Sequence, residues 1–377
     1  MQPQEQPLRL LLTGGGTGGH LFPAIATAEA MCKRFPDTKV CFVGTKRKMD
    51  AASLARYDFQ VRTIHCQGLK GKGLLSLVQS LVLLPLALVE AIWQIFRFRP
   101  HLVVGVGGYV TGPVVVAAKL LGKPTLIHEQ NSVPGLANRK LGALASRICL
   151  SLPGSERFFP PGKTVLTGNP VRHQILELAR QQPARQIGAN VTILILGGSL
   201  GAHRVNELVV EALTEYGTFF PKGIEVIHQT GAADEERVRF AYERAKIPAT
   251  VAPFFTDMAE IYGRSDVLVS RAGATTLAEM AVLGKPAVLI PYPYAADDHQ
   301  DKNGRYYAAG GGVVVLPERE LSARQLAETL AEIVGNGSRL QEMAAAMQAM
   351  GRPDATDRIV DVCLELIHST KIKELAE

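Results

Sequence analysis

The chain repeats its own pattern, and that limits what it can fold into. "LVVGVGGYVTGPVVVAAKLLGKPTLIHEQN" at 102–131 has a counterpart in "VLVSRAGATTLAEMAVLGKPAVLIPYPYA" at 267–295, each with Leu-Gly-Lys-Pro between a helical run and the next strand. "LRLLLTGGGTGGH" from residue 8 is matched by "VTILILGGSLGAH" from residue 191, an apolar strand entering a glycine-rich turn and then a helix. Strand-like runs ("KVCFVGT", "IEVIHQ" and their neighbours) alternate with helical patterns elsewhere too. That alternation is the signature of parallel sheets covered by helices on both faces. The predicted class is α/β: two Rossmann-like domains facing each other across an interdomain cleft. The expected division is 1–168 and 169–350, broken near the turn signal "LTGNPVR", with 351–377 as a C-terminal helix packing back on the first domain. The stretch from Gly15 to Gly122 exceeds that from Gly198 to Gly284 by 21 residues, so the first half carries an insertion.

With 377 residues, 47% hydrophobic and 20% charged, a two-domain globular chain is the expectation. The 41 basic against 35 acidic residues give a net charge of +6, which suits an anionic partner without calling for nucleic acid. The five cysteines are scattered and form no C-x-x-C pair, which speaks against a disulfide framework and a zinc site and fits a reducing cytosol. No secretory pattern opens the chain.

The insertion coincides with "KGKGLLSLVQSLVLLPLALVEAIWQIFRFRP" at 70–100, which holds the one tryptophan between Lys70 and Lys72 and Arg97 and Arg99. Gln79, Glu90 and Gln94 interrupt it, Pro85 sits near its middle and both flanks are basic, so a membrane span is disfavoured. Two readings stay open: a buried core helix, or an amphipathic helix or hairpin resting on an anionic membrane surface.

Gly14, Gly16 and Gly19 satisfy G-x-G-x-x-G between strand and helix, where backbone N–H groups favour a diphosphate. The second strand ends in "GTKRK" rather than in the acidic residue an NAD site uses; an NADP site survives that test, though no obvious hydride-transfer apparatus accompanies it. Further glycine turns recur at strand ends, "GGYVTGP", "GGSLGAH" and "RAGATT". Four such turns fit two phosphorylated substrates better than one. His20 closes the first turn, either as a capping or core histidine or at a ligand mouth. His128, Glu129, Gln130 and Asn131 crowd one strand end, and Glu279 either serves a helix dipole or accepts from ribose hydroxyls. "DDHQDKN" at 297–303 is read as a sugar-binding loop rather than a metal site; no metal and no cofactor are expected.

Taken in order, "GGGTGGH", "GGYVTGP", "HEQN", "GNPVR", "GGSLGA", "FFTDM", "RAGATTLAE" and "DHQDKN" closely resemble the bacterial MurG family over about residues 8–365. These are the UDP-N-acetylglucosamine (UDP-GlcNAc) transferases that convert lipid I to lipid II in peptidoglycan synthesis, and so serve cell shape and division. The resemblance implies a GT-B fold and an inverting, metal-independent hexosyl transfer. It also implies peripheral attachment to the cytoplasmic face of the inner membrane through residues 70–99, beside other cell-wall synthesis proteins. Ser199 and Arg172 would lie near the donor diphosphate, with Ala274, Thr275 and Thr276 lining that side. Phe255 would meet uracil mainly through its backbone, Glu279 would hold the ribose, and Gln300, with Asn303 beside it, the GlcNAc hydroxyls. Thr17, Gly18, Gly19 and Asn131 would close over sugar and acceptor, with Gly16 and Tyr109 on the acceptor side near the lipid diphosphate. Leu200 stands where many members have Gln, and Gly304 where Ala is frequent.

The implied chemistry is displacement at the anomeric carbon of GlcNAc by the C4 hydroxyl of the N-acetylmuramyl (MurNAc) sugar of lipid I. A base must take the hydroxyl proton; His20 is the first choice and Glu129 its rival. Rival functions are a UDP-GlcNAc 2-epimerase, another lipid-directed GT-B transferase and a non-catalytic nucleotide-sugar or lipid-binding subunit. The epimerase would isomerise UDP-GlcNAc without an acceptor, and the binding subunit would show no turnover.

Overall fold

The computed structural model describes residues 7–15, 18–45, 54, 57, 59–66, 74–181, 190–198 and 201–376. Two compact units divide the chain: Met1–Val171 joined by Pro353–Glu377, and Arg172–Arg352.

The first unit is built on a seven-stranded sheet. Its strands are β1 (Arg9–Thr13), β2 (Lys39–Gly44), β3 (Gln60–Thr63), β4 (Leu102–Gly105), β5 (Thr125–Glu129), β6 (Arg147–Leu150) and β7 (Thr164–Leu166). They lie in the order β3-β2-β1-β4-β5-β6-β7, and every pairing is parallel. The second unit holds β8 (Val191–Leu196), β9 (Ile224–Gln229), β10 (Ala249–Ala252), β11 (Val267–Ser270), β12 (Ala287–Leu289) and β13 (Val313–Val315). Their order is β10-β9-β8-β11-β12-β13, again all parallel. Each sheet thus reverses strand order once, between β1 and β4 in the first and between β8 and β11 in the second. Ligands of doubly wound sheets bind beyond the strand carboxyl ends at that reversal.

Central strands are buried throughout because helices cover both faces: β4, β5 and β8 are buried at every residue. Leu10 and Leu12 face one layer, with Ile25 and Met31 of helix Gly18–Arg34 and Ile359, Val360 and Cys363 of the last helix, Ala355–Ala376. Arg34 and Asp361 join those two helices at the surface, 2.5 Å apart. Leu11 and Val103 face the other layer, with Ala87, Ala91 and Ile95 of helix Leu74–Phe98 and Val114 and Ala118 of helix Thr111–Leu120.

Leu-Gly-Lys-Pro has the same job in both units. Gly122 and Gly284 take positive φ (+66° and +62°) just past a helix. The next N–H reaches back five residues, from Lys123 to the Ala118 carbonyl and from Lys285 to that of Met280. This is the Schellman closure that turns a helix end into the following strand.

The apolar insertion is one helix, Leu74–Phe98, that runs through Pro85. Ala87, Ala91, Ile95 and Phe98 are buried at helical spacing, whereas Leu84, Leu86, Val89, Trp93 (58% exposed) and Phe96 face outward. Its polar interruptions anchor it. Glu90 accepts from the His65 backbone N–H (2.6 Å) and pairs with the His65 ring (2.7 Å), and Gln94 accepts from Arg62 of β3 (3.1 Å). Among the described residues no helix is long and apolar enough to cross a membrane.

Candidate active site

In the first unit the turns after β1, β4 and β5 meet at the strand carboxyl ends. Gly108 takes φ +84°, and a Cβ there would stand 2.5 Å from the Gly15 carbonyl oxygen, so the first two turns interlock backbone to backbone. Gly107 gives the same closeness to His20, whose ring Nδ1 would lie 3.1 Å from a Cβ at that position.

His20 Nδ1 lies 3.1 Å from Gln130 Oε1. Gln130 Nε2 donates to the Val106 carbonyl (2.9 Å) and faces His128 Nδ1 (3.1 Å). His128 Nε2 in turn meets Ser151 Oγ (3.1 Å) and the Gly168 carbonyl (3.2 Å). The His20 ring is partly exposed, yet dense surroundings push its pKa below the ordinary histidine value, partly offset by the hydrogen bond to Gln130. Burial takes His128 down to about 4.

Glu129 is held differently. Its buried carboxylate accepts from Asn131 N (2.9 Å), Asn131 Nδ2 (3.2 Å), Gly135 N (3.2 Å) and Asn138 Nδ2 (2.9 Å). Burial raises its pKa against the pull of these bonds. Glu129 thereby shapes the loop that presents Asn131. Tyr109 is half-buried in the turn after β4, its carbonyl facing the Cys66 thiol at 3.6 Å. Gly18 and Gly19 open helix Gly18–Arg34. Gly16, Thr17, Ser199 and Leu200 lie outside the described residues, as do Lys70 and Lys72.

In the second unit Ala274, Thr275 and Thr276 form the first turn of helix Ala274–Val282, beyond β11. Glu279 follows in the next turn, 3% exposed, and takes Arg172 in a two-pronged ion pair. Tyr262 completes it, its hydroxyl donating to Glu279 Oε2 at 3.2 Å. Arg172 and Glu279, assigned separately to diphosphate and ribose in the sequence, are thus one unit here. Gln229, at the end of β9, donates to the Gly198 carbonyl (3.2 Å) and accepts from the Phe255 N–H (3.1 Å), tying the glycine turn to the Phe255 loop. Gln300 accepts from the Tyr292 N–H (2.9 Å), and Asn303 is fully buried, donating to the Ala272 carbonyl (3.4 Å). Asp297 and Asp298 both take left-handed backbone angles, which sets the entry of helix His299–Ala309. Among the described residues no group of three or more His, Cys, Asp or Glu side chains is placed to hold a metal ion.

Gln130, Gln229 and Tyr262 carry these arrangements and were not singled out from the sequence. "HEQN" marked the first only as part of a polar cluster; the other two leave no signal in a single sequence.

Residues 10–150 match the glycosyltransferase family 28 N-terminal domain and residues 192–359 its C-terminal domain. Paired Rossmann-like units with these matches define a family 28 glycosyltransferase. The UDP-N-acetylglucosamine–N-acetylmuramyl-(pentapeptide) pyrophosphoryl-undecaprenol N-acetylglucosamine transferase of Desulfotalea psychrophila is 53% identical over 364 residues, 97% of this chain and 98% of its own. The crystal structure of Acinetobacter baumannii MurG superposes with a TM-score of 0.76 at 30% identity, covering 95% of this chain and all of that one. The UDP-GlcNAc 2-epimerase of Neisseria meningitidis reaches a TM-score of 0.65 at 14% identity over 95% of this chain and all of its own, a likeness of fold alone. The chain belongs to the MurG family of N-acetylglucosamine transferases.

Proposed function

We propose that this glycosyltransferase moves GlcNAc from UDP-GlcNAc to the C4 hydroxyl of MurNAc in undecaprenyl-pyrophosphoryl-MurNAc-pentapeptide, lipid I, giving lipid II for peptidoglycan. The observation that carries the reading is the near-full-length relationship to the Desulfotalea psychrophila enzyme, whose name states that transfer.

In the step itself, the acceptor oxygen bonds to the anomeric carbon as that carbon's bond to the diphosphate oxygen breaks. The electron pair leaves with UDP, the configuration inverts and the hydroxyl proton passes to His20. His20 suits the part because its lowered pKa keeps it neutral near pH 7. Glu129, whose carboxylate already accepts four hydrogen bonds, suits loop positioning better. Charge on the departing UDP is stabilised by the N-termini of helices His203–Glu215 and Ala274–Val282. Glu279, braced by Arg172 and Tyr262, receives the ribose hydroxyls. Phe255, Gln300, Thr275 and Thr276 complete the donor side; Asn131, Gly19 and Tyr109 serve the acceptor side. The outward apolar face of helix Leu74–Phe98, with exposed Arg97 and Arg99 at its end, rests on the anionic cytoplasmic leaflet where lipid I resides.

The test is UDP release from UDP-GlcNAc by the purified chain in EDTA, with and without a lipid I analogue. Acceptor-dependent release that survives the chelator supports the reading. Binding of UDP-GlcNAc without release on any acceptor would overturn it.

A further inference from the structure

The Gln130 amide can sit only one way round. One end lies 2.9 Å from the Val106 carbonyl oxygen, which can only accept, so that end is the NH2 group. The other end is therefore the oxygen, which also can only accept, and it faces His20 Nδ1 at 3.1 Å. His20 must then carry its proton on Nδ1, leaving Nε2 with the lone pair when the ring is neutral.

His128 locks the arrangement from behind. The Gln130 NH2 also lies 3.1 Å from His128 Nδ1 and 3.4 Å from the His128 carbonyl; as a donor it makes that ring nitrogen an acceptor, so His128 carries its own proton on Nε2. That N–H has two acceptors, Ser151 Oγ at 3.1 Å and the Gly168 carbonyl at 3.2 Å. A proton on His128 Nδ1 would face the amide hydrogens, and burial opposes it as well. Gln130 and His128 are both buried, so water does not compete for these bonds.

We propose that Gln130 is a positioning residue for the transfer reaction: with its amide orientation set by Val106 and His128, it holds His20 in the Nδ1–H form and turns Nε2 toward the acceptor hydroxyl. The proposal rests on His20 as the base. Without Gln130 the Val106 backbone is the hydrogen-bond partner left to the His20 ring, the neutral ring is freer to place its proton on Nε2, and a ring so protonated cannot accept there. Turnover falls by the lost fraction of correct tautomer and by the lost orientation, whereas donor binding, which Gln130 does not touch, stays.

The experiment uses the full chain labelled with 15N-histidine, the His20 ring signals being assigned by their loss in His20→Ala. In the unaltered protein the expected spectrum has Nδ1 protonated and Nε2 bare; an Nε2–H spectrum overturns the proposal without any variant at position 130. Gln130→Met is expected to move His20 toward Nε2–H and to lower kcat by about tenfold to a hundredfold, with the UDP-GlcNAc dissociation constant unchanged. Gln130→Glu keeps an acceptor for Nδ1–H, so it is expected to retain the tautomer and to exceed the Met variant in turnover. An unchanged tautomer in Gln130→Met, or full turnover in that variant despite a shifted tautomer, overturns the proposal. If His20→Ala keeps full turnover while Gln130→Met still shifts the tautomer, the base assignment fails and the Gln130 contact stands.

Discussion

Arg172 and Glu279 meet through two parallel hydrogen bonds, Nε to Oε1 at 2.6 Å and Nη2 to Oε2 at 2.8 Å. The carboxylate is almost wholly buried and the guanidinium about a quarter exposed. A pair this enclosed contributes less by its attraction than it would cost if one partner were removed. Arg172→Met is therefore expected to destabilise the second unit by about 3 kcal/mol, because it strands the Glu279 charge beside Tyr262. Adding Glu279→Gln should recover much of that loss. Denaturant unfolding of the two variants checks it, and a double variant as unstable as the single one would show that the pair is not coupled.

His20→Ala is expected to lower kcat by about 10²–10⁴ while leaving the UDP-GlcNAc dissociation constant unchanged. Loss of both together would point to a binding role instead. The same assignment has a pH signature. Burial lowers the His20 pKa, the neutral ring is the active form, and activity therefore persists to pH values below the ordinary histidine range before it falls. An acid limb of kcat centred above about 6.5 would contradict the geometry.

Two buried histidines make the fold acid-sensitive. His128 is lowered to about 4, and His228, held between the Tyr242 hydroxyl (2.9 Å) and Asn206 Oδ1 (3.1 Å), to about 3. Between these values and about 6.5 the unfolded chain binds protons that the folded one does not, so stability rises with pH through that window. It is complete above about 6.5, is lost progressively as pH falls below that value, and levels off once pH passes below each folded value. The loss expected is on the order of 3 kcal/mol per histidine. His228→Gln should flatten the dependence in the second unit, measured by denaturant midpoints from pH 7 to 4.

Two glycines of the segment after β4 are expected to behave in opposite ways. Gly108→Ala puts a Cβ 2.5 Å from the Gly15 carbonyl oxygen at a positive φ, costing about 1–2 kcal/mol from the backbone conformation alone. Gly112, in the first turn of helix Thr111–Leu120, has open space where its Cβ would be, and Gly112→Ala should stabilise by up to about 1 kcal/mol. Thermal unfolding of both variants decides; equal effects would deny the interlock of the two turns.

Trp93 and Phe96 stack 6.5 Å apart on the outward face of helix Leu74–Phe98. Replacing each with Ser should weaken co-sedimentation with anionic phospholipid vesicles by roughly tenfold or more per side chain. UDP-GlcNAc binding should be unaffected. Vesicle binding that survives both changes would place the membrane contact elsewhere.

The strands legible in the sequence were those buried on both faces. "LLLT", "LVVG" and "VTILIL" are unbroken apolar runs because helices cover them twice over. β3, β7, β10 and β13 escaped notice because they are short strands at sheet edges, where Gln60, Val61, Ala249 and Thr250 meet solvent and the pattern dissolves. Interior β6 escaped because its four residues, Arg147–Leu150, are too short a run to stand out. The sequence left a helix and a hairpin both open for 70–100; Pro85 sits on the exposed side of Leu74–Phe98 and one helix runs through it. The glycine turns and His20 stood out by residue type. The partners that orient them did not: Gln130 acts across 110 residues and Tyr262 across 17, and a single sequence carries no record of who faces whom.

The closing helix has a consequence for synthesis. Ile359, Val360, Cys363 and Ile367 fill the same core as Leu10, Leu12 and Met31, more than 300 residues earlier in the chain. The second unit closes at Arg352, so its folding can begin as soon as that residue clears the ribosome. The unit that contributes β1 is therefore completed after the second unit, its β1 strand incompletely covered until helix Ala355–Ala376 emerges.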